Sequence, residues 1–180
     1  AQVPQIEFRN NTWKQVFATP QKTAHIFFSK FAVIQLLIVF FYLLFNGFMI
    51  LDGIVIELIH PRFTFLQSPL PYKSLLLLNG KMFLSVLGIS ALQFWLSMRF
   101  KNFIVPVGIG LGLLIASLIA ISSGFEHIAK IPFAHPFLSF QSMIKKPAGV
   151  LENHEWNSVG FATLFLILGW YEFKNRKERN

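Results

Sequence analysis

Residues 6 to 30 read IEFRNNTWKQVFATPQKTAHIFFSK, and a long apolar run begins directly after them. The apolar residues at the start of this stretch recur at the spacing of one helical face; they are Ile6, Trp13, Val16 and Phe17. Polar residues cover most of the remaining surface, so residues 6–18 are predicted to form a short amphipathic helix at a membrane surface. Thr19 and Pro20 then predict the start of a second helix, with Thr19 as its N-cap.

The order of residues in this stretch resembles the coupling-helix region of type-2 ABC exporter permeases. A glutamate precedes Thr-Trp-Lys, and a proline, a basic residue and a lysine at the mouth of a hydrophobic span follow. The matching positions are Glu7, Thr12, Trp13, Lys14, Pro20, Lys22 and Lys30. The most similar group is the permeases linked to lantibiotic and other peptide-antibiotic self-protection. An interfacial helix of an unrelated membrane protein has a similar pattern, so this stretch alone leaves both interpretations open.

The resemblance implies that the amphipathic helix meets a cytoplasmic ATPase subunit. The residues that would make this contact are Glu7, Thr12, Trp13, Lys14 and Phe17. It also implies a second permease copy or a paralogous permease as a partner. The chain itself would have no enzymatic activity and no cofactor, because ATP and magnesium would bind in the ATPase. The family has six spans, two of them before the coupling helix, whereas four are predicted here. Either the missing two have been cut off, or they come from elsewhere, or the chain belongs to another family.

Composition places the chain in a membrane. Of its 180 residues, 54% are hydrophobic and only 13% are charged, whereas soluble domains carry about 25% charged residues. The net charge of +8 could suit nucleic acid, but the basic residues lie mostly in short loops and tails. That distribution follows the positive-inside rule of membrane proteins, so we expect lipid and no nucleic acid as a partner.

Four hydrophobic stretches approach the length of about 20 residues that crosses the hydrocarbon core. They are residues 31–51, 74–98, 103–125 and 156–173. Residues 126–155 hold three prolines and no apolar run of that length, which predicts one or two short re-entrant or interfacial helices on the outer face. We therefore predict an all-α polytopic membrane protein, with a single transmembrane domain over residues 1–180 and a basic tail at residues 174–180.

The distribution of basic residues predicts the orientation. Ten of the 16 Lys and Arg residues lie in the N-terminal segment, in the short loop between the second and third spans, and in the tail. Short loops rich in Lys and Arg stay in the cytoplasm. Both ends of the chain are therefore predicted to be cytoplasmic, in the plasma (inner) membrane.

Polar and small residues form stripes on the predicted spans. The polar residues that share a face are Gln35, Tyr42 and Asn46 on the first span, and Asn79, Ser90 and Gln93 on the second. They either hydrogen-bond helices together or line a substrate path. Small residues recur every four positions on the third span, where they would let another helix approach closely; they are Gly108, Gly112, Ala116 and Ala120. Lys81 is expected to point away from the polar stripe and to reach the outer membrane surface.

Several kinds of chemistry have no sequence support. The chain has no P-loop motif and no His-Glu-x-x-His motif. His127, His135 and His154 share the outer segment, but their spacing matches no zinc pattern. Ion-coupled carriers usually keep an ionisable residue mid-membrane, whereas the middle of these spans holds amides and hydroxyls. The favoured interpretation is an ABC exporter permease that moves a peptide, lipid or drug-like substrate; the alternative is a non-transporting structural or accessory protein.

We predict that Lys14, Lys101 and Arg176 face the cytoplasm and that Arg62 and Lys146 face outward, because of the Lys and Arg bias. The natural chain has no cysteine, so single cysteines at these positions can be labelled with a membrane-impermeant thiol reagent. Positions 62 and 146 should react in intact cells, and the other three only after the cells are opened. Reaction of position 101 in intact cells would contradict this orientation.

Overall fold

The computed structural model describes residues 22–60, 62, 65, 70–100, 102–145 and 151–177. Within these residues the chain forms five α-helices and no β-strand, which confirms the all-α prediction. The helices are α1 (Thr23–Ile59), α2 (Tyr72–Arg99), α3 (Ile104–Ser122), α4 (His135–Lys145) and α5 (Asn153–Lys177). Two short 3-10 turns, Ile128–Lys130 and Pro132–Ala134, precede α4. The predicted amphipathic helix at residues 6–18 lies outside the described residues.

Three helices of the described part, α1, α2 and α3, are long and apolar enough to cross a membrane. Helix α1 has 37 residues and is therefore about 55 Å long at 1.5 Å per residue. It extends past the predicted span, residues 31–51, at both ends. Helix α5 is more polar and is not among the three, but it lies beside α2 over most of its length. Its role as a fourth span stays a prediction.

Local signals explain where α3 begins and ends. Only residues 100–103 separate it from α2, so the two helices are antiparallel neighbours. The side-chain oxygen of Asn102 accepts a hydrogen bond from the Ile104 N–H at 3.0 Å. Gly124 follows the helix with a φ of 69°, in the left-handed region that a glycine adopts without strain.

Helix α2 is the centre of the bundle, with α5 beside it in parallel and α1 beside it in the antiparallel direction. Contacts in the same order along α2 and α5 join Lys81 to Glu155, Gly88 to Ser158 and Arg99 to Glu172. Contacts in opposite order along α1 and α2 join Gln35 to Ser90 and Asn46 to Asn79. These directions agree with the alternating path of the predicted topology.

Aromatic rings join α1, α2 and α5 at the end of the bundle where α1 begins. Phe27 is fully buried, and its ring lies 5.0 Å from the Phe94 ring and 5.7 Å from the rings of Trp170 and Phe173. Gly169 of α5 makes room for it, since an added Cβ there would lie 3.1 Å from the Phe27 ring. This ring cluster fastens the first two turns of α1 to the other two helices.

The small residues of α3 do not pack within the described chain. Gly108, Gly112 and Ala116 are exposed, and an added Cβ at either glycine would meet nothing within 4 Å. The opposite face of α3 turns toward α2, where Gly110 lies against the Gln93 side chain. Close packing of the small-residue stripe against a helix from another chain stays a prediction.

The closest contact between α2 and α5 gives a stability test. An added Cβ at Gly88 would lie 3.0 Å from the backbone oxygen of Ser158, and backbone cannot move aside as a side-chain tip can. Gly88→Leu should therefore force the helices apart and cost about 1–3 kcal/mol. Gly80→Leu is the matched control on the same helix, because nothing lies within 4 Å of its added Cβ. Equal thermal unfolding of the two purified variants would contradict this packing.

Candidate functional site

Two pairs of polar side chains connect α1 to α2 inside their predicted spans. The Gln35 amide donates to the Ser90 hydroxyl at 3.0 Å. Asn46 and Asn79 exchange two hydrogen bonds, at 3.0 and 3.2 Å. Four of the six polar residues predicted on the stripes are thus brought together in pairs.

The other two stripe residues have different surroundings. The Tyr42 carbonyl accepts a second hydrogen bond from Asn46 at 2.6 Å, within α1. The Gln93 side chain lies against Gly110 of α3, so the α2 stripe serves two neighbours. The Gln35–Ser90 and Asn46–Asn79 pairs are hydrogen bonds between helices, as the first interpretation of the stripes requires. A substrate path along them remains a prediction.

A buried ion pair lies near the opposite end of the bundle from the ring cluster. The Lys81 amine is 3.7 Å from Oε1 of Glu155, and the two residues are only 3% and 1% exposed. The prediction that Lys81 snorkels to the membrane surface is therefore wrong. A membrane lysine usually extends its amine to the water at the surface. Here Glu155 of α5 gives the Lys81 amine an ionic partner inside the bundle instead.

Ser139 of α4 connects this ion pair to the other helices. Its hydroxyl donates to Glu155 Oε1 at 3.0 Å and lies 2.9 Å from Nε2 of His154. The same hydroxyl is hydrogen-bonded to Ser85 of α2. One buried oxygen thus joins α2, α4 and α5. We call the five residues Lys81, Ser85, Ser139, His154 and Glu155 the Ser139 cluster.

The position of Glu155 follows from its place in α5. It lies in the first turn of the helix, where an acidic residue is favoured by the exposed N–H groups. Its Oε2 accepts the backbone N–H of Glu152 at 2.6 Å, which is the reciprocal bond of a capping box. The helix start therefore fixes this carboxylate, and its other oxygen is left for Lys81 and Ser139.

Two histidines lie here outside the predicted spans, His154 as a member of the cluster and His135 beside it. Burial lowers the pKa of His135, the hydrogen bond from its Nε2 to the Ala129 carbonyl opposes this, and His154 lowers it further. Burial also lowers the pKa of His154; the carboxylates of Glu155 and Glu152 oppose that shift, and Lys81 adds to it. Both imidazoles are therefore held neutral near pH 7.

The cluster joins polar atoms of three helices in one hydrogen-bonded network. Ser139, His154 and Glu152 are in the order of a hydrolytic triad, but the Ser139 hydroxyl is fully buried and is shared by three partners. Among the described residues, no three His, Cys, Asp or Glu side chains are placed to hold a metal ion.

Sequence reasoning did not find this cluster. It placed His154 in the outer segment and Lys81 at the membrane surface, without connecting them. The sequence held only half of a signal, because Glu155 is the acidic residue of a capping box but Glu152 is not the serine or threonine that begins one. The residues predicted to contact an ATPase, which are Glu7, Thr12, Trp13, Lys14 and Phe17, all lie outside the described residues.

Comparison with known families identifies the class of protein. The model of the ABC-2 family transporter proteins matches residues 1–117, nearly two thirds of the chain. The chain belongs to this family and is a membrane-embedded permease of an ABC transporter. The match includes α1, α2 and most of α3, whereas α4 and α5 lie beyond it. Comparisons with curated proteins and with solved structures found no match.

The family generally supplies the transmembrane subunit and not the enzyme, and it typically works with separate ATPase subunits. This agrees with the absence of a P-loop in the sequence.

The buried and the exposed ion pairs between α2 and α5 should differ in their contribution to stability. Glu155→Gln keeps the helix cap but removes the charge that faces Lys81, and breaking a buried pair costs about 3–5 kcal/mol. Glu172→Gln removes the carboxylate 3.2 Å from Arg99 at the exposed end, where such pairs contribute at most about 1 kcal/mol. Thermal unfolding of purified protein measures both.

A double variant strengthens this test. Lys81→Met in the Glu155→Gln background removes the remaining buried charge, so it should restore part of the lost stability. If Glu155→Gln unfolds no earlier than Glu172→Gln, the buried pair does not hold the helices together.

Proposed function

We propose that the chain is the permease subunit of an ABC exporter in the plasma membrane. It moves a peptide, lipid or drug-like substrate, and a separate cytoplasmic subunit hydrolyses the ATP. The family match over residues 1–117 carries this proposal. The resemblance of residues 6–18 to a coupling helix and the Lys and Arg distribution support the export direction and the orientation.

The base of α1 provides a route from the ATPase to the bundle. Residues 6–18 come shortly before α1, which is continuous from Thr23 to Ile59. Phe27 and Phe31 bury their rings against α2, and Phe27 also contacts Trp170 and Phe173 of α5. A displacement of the N-terminal segment would therefore reach both helices through these rings.

The exposed surfaces support a partner permease, either a second copy or a paralogue. Most large apolar side chains of α1 between Leu36 and Ile59 are exposed. Three of the four small residues of the α3 stripe, Gly108, Gly112 and Ala116, are exposed as well. Lipid covers such apolar surface without cost, but a stripe of small residues is typical of close helix packing.

The α1–α2 contact is the place where a substrate path would run. Gln35 Oε1 is buried and accepts no hydrogen bond from the described residues. A buried amide oxygen usually has a donor, so we propose that a polar group of the substrate or a water molecule reaches it during transport.

The coupling proposal is tested at two residues. Glu7→Lys reverses a charge and Trp13→Ala removes the largest aromatic side chain of the predicted helix. Interfaces concentrate their energy in such residues, where truncation can cost about 2 kcal/mol or more. Both variants should reach the membrane in normal amounts yet lose co-purification of the ATPase or substrate-stimulated ATP hydrolysis.

Two variants serve as controls for this experiment. Gln21→Ala, just past the predicted helix break, should be mild, and Arg179→Ala in the tail should be silent. If Glu7→Lys and Trp13→Ala keep full ATPase binding and coupling, residues 6–18 are only an interfacial anchor. A structural or accessory role would then be favoured.

A further inference from the structure

A cavity of about 420 Å³ lies beside the Ser139 cluster, between the turn that precedes α4, α4 itself and the start of α5. Its volume is within the range of about 300–1,000 Å³ that is usual for small-molecule sites. Ile128, Ala129 and Leu138 form the apolar part of the lining, and Glu152, Asn153 and His154 form the polar part. The cavity lining therefore combines apolar side chains with a small polar group, as an amphipathic ligand requires.

The hydrogen bonds of Ser139 determine which nitrogen of His154 carries the proton. Ser139 has a single O–H, and the carboxylate of Glu155 can only accept, so this proton goes to Glu155. The remaining contacts must then be donated to Ser139, by Ser85 and by Nε2–H of His154. The neutral imidazole has only one N–H, and Nδ1 of His154 is therefore a bare acceptor.

A second acceptor, Oε2 of Glu152, lies close to Nδ1 of His154 in the cavity lining. Nδ1 of His154 is 3.7 Å from Oε2 of Glu152, which is too far for a hydrogen bond. The His154 side chain is only 6% exposed, and no hydrogen bond from the described residues reaches its Nδ1. Two acceptors at this separation repel each other unless a donor lies between them.

We propose that this cavity binds the primary ammonium group of an amphipathic molecule. A nitrogen about 2.8 Å from each acceptor, the length of a charge-assisted hydrogen bond, fits over the 3.7 Å gap. The apolar part of the ligand lies along Ile128 and Leu138. A metal ion is disfavoured because the described residues offer no third ligand.

Two sources can supply this chemistry, a soluble alkylamine or amphipathic peptide, and a lipid with an ethanolamine headgroup. Trp156, one turn into α5, is 62% exposed, and exposed tryptophans are enriched at the membrane–water interface. The cavity would then lie at the level of lipid headgroups. The site does not depend on whether the chain exports a substrate, and binding can be measured without transport.

The experiment uses the full chain in nanodiscs made of phosphatidylcholine, with calorimetric titration of dodecylamine. Dodecylamine is expected to bind. Dodecyltrimethylammonium, which has the charge but no N–H, should bind at least about tenfold more weakly. A second arm compares nanodiscs with and without phosphatidylethanolamine. Prior occupation by this lipid should weaken dodecylamine binding if the lipid is the source, and should leave it unchanged if the source is a soluble amine.

Variants separate the site from the fold. Glu152→Gln removes the carboxylate, and His154→Gln keeps a donor toward Ser139 but removes the Nδ1 acceptor; each should weaken dodecylamine binding about tenfold without lowering the melting temperature. Glu126→Gln, an exposed acid outside the cavity, is the matched control and should bind as the natural chain does. Unchanged binding in both site variants would overturn the proposal, as would binding of zinc without binding of dodecylamine.

The pH dependence is a further readout. The charged or titratable groups around His154 are Lys81 on α2, His135 on α4, and Glu152 and Glu155 at the start of α5. Protonation of His154 turns the Nδ1 acceptor into a donor, so binding should fall on acidification. The lowered pKa of His154 places this loss below about pH 6.5, the ordinary value for histidine. On acidification, the Glu126→Gln control should lose as much dodecylamine binding as the natural chain does. His154→Gln should show no such pH-dependent loss.

Discussion

Polar atoms on α2 need partners inside the membrane, because hydrocarbon offers none and an unsatisfied group there costs several kcal/mol. Five polar side chains of α2 have a partner or neighbour in another helix. Asn79 and Ser90 bond to α1, Lys81 pairs with α5, Ser85 bonds to α4, and Gln93 faces α3. Apolar contact gives helices little reason to prefer one another over lipid, so these few polar groups determine which helix lies beside which part of α2.

Hydropathy was sufficient to predict the class of fold and the approximate place of the helices. The predicted span at residues 74–98 coincides with α2 to within two residues, since charge and proline mark both of its ends. The span predicted at residues 31–51 is much shorter than α1. The membrane sets the length of an apolar stretch, but nothing in Asp52 or the residues after it breaks the helix, which therefore continues to Ile59.

The Ser139 cluster could not be predicted because its members are distant in sequence. Lys81 and Glu155 are separated by α3 and α4, and hydrophobic periodicity says nothing about which distant carboxylate a lysine will meet. Helical geometry did place Gln35 and Asn46 on one face of α1, as the structure has them. Their partners on α2 depend on how the helices are offset, and the offset is a property of the whole bundle.

The length of α1 makes it a lever arm. Its ring contacts, Phe27 and Phe31, lie within the first three turns of a helix that is about 55 Å long. A tilt of about 10° around those rings would carry the far end by about 8 Å, and Asn46 by about 5 Å, at 1.5 Å per residue. Gln35 is closer to the pivot and would move only about 2 Å. Of the two polar contacts between α1 and α2, the Asn46–Asn79 pair is therefore the first that such a tilt breaks, and it limits how far α1 can tilt while both contacts are kept.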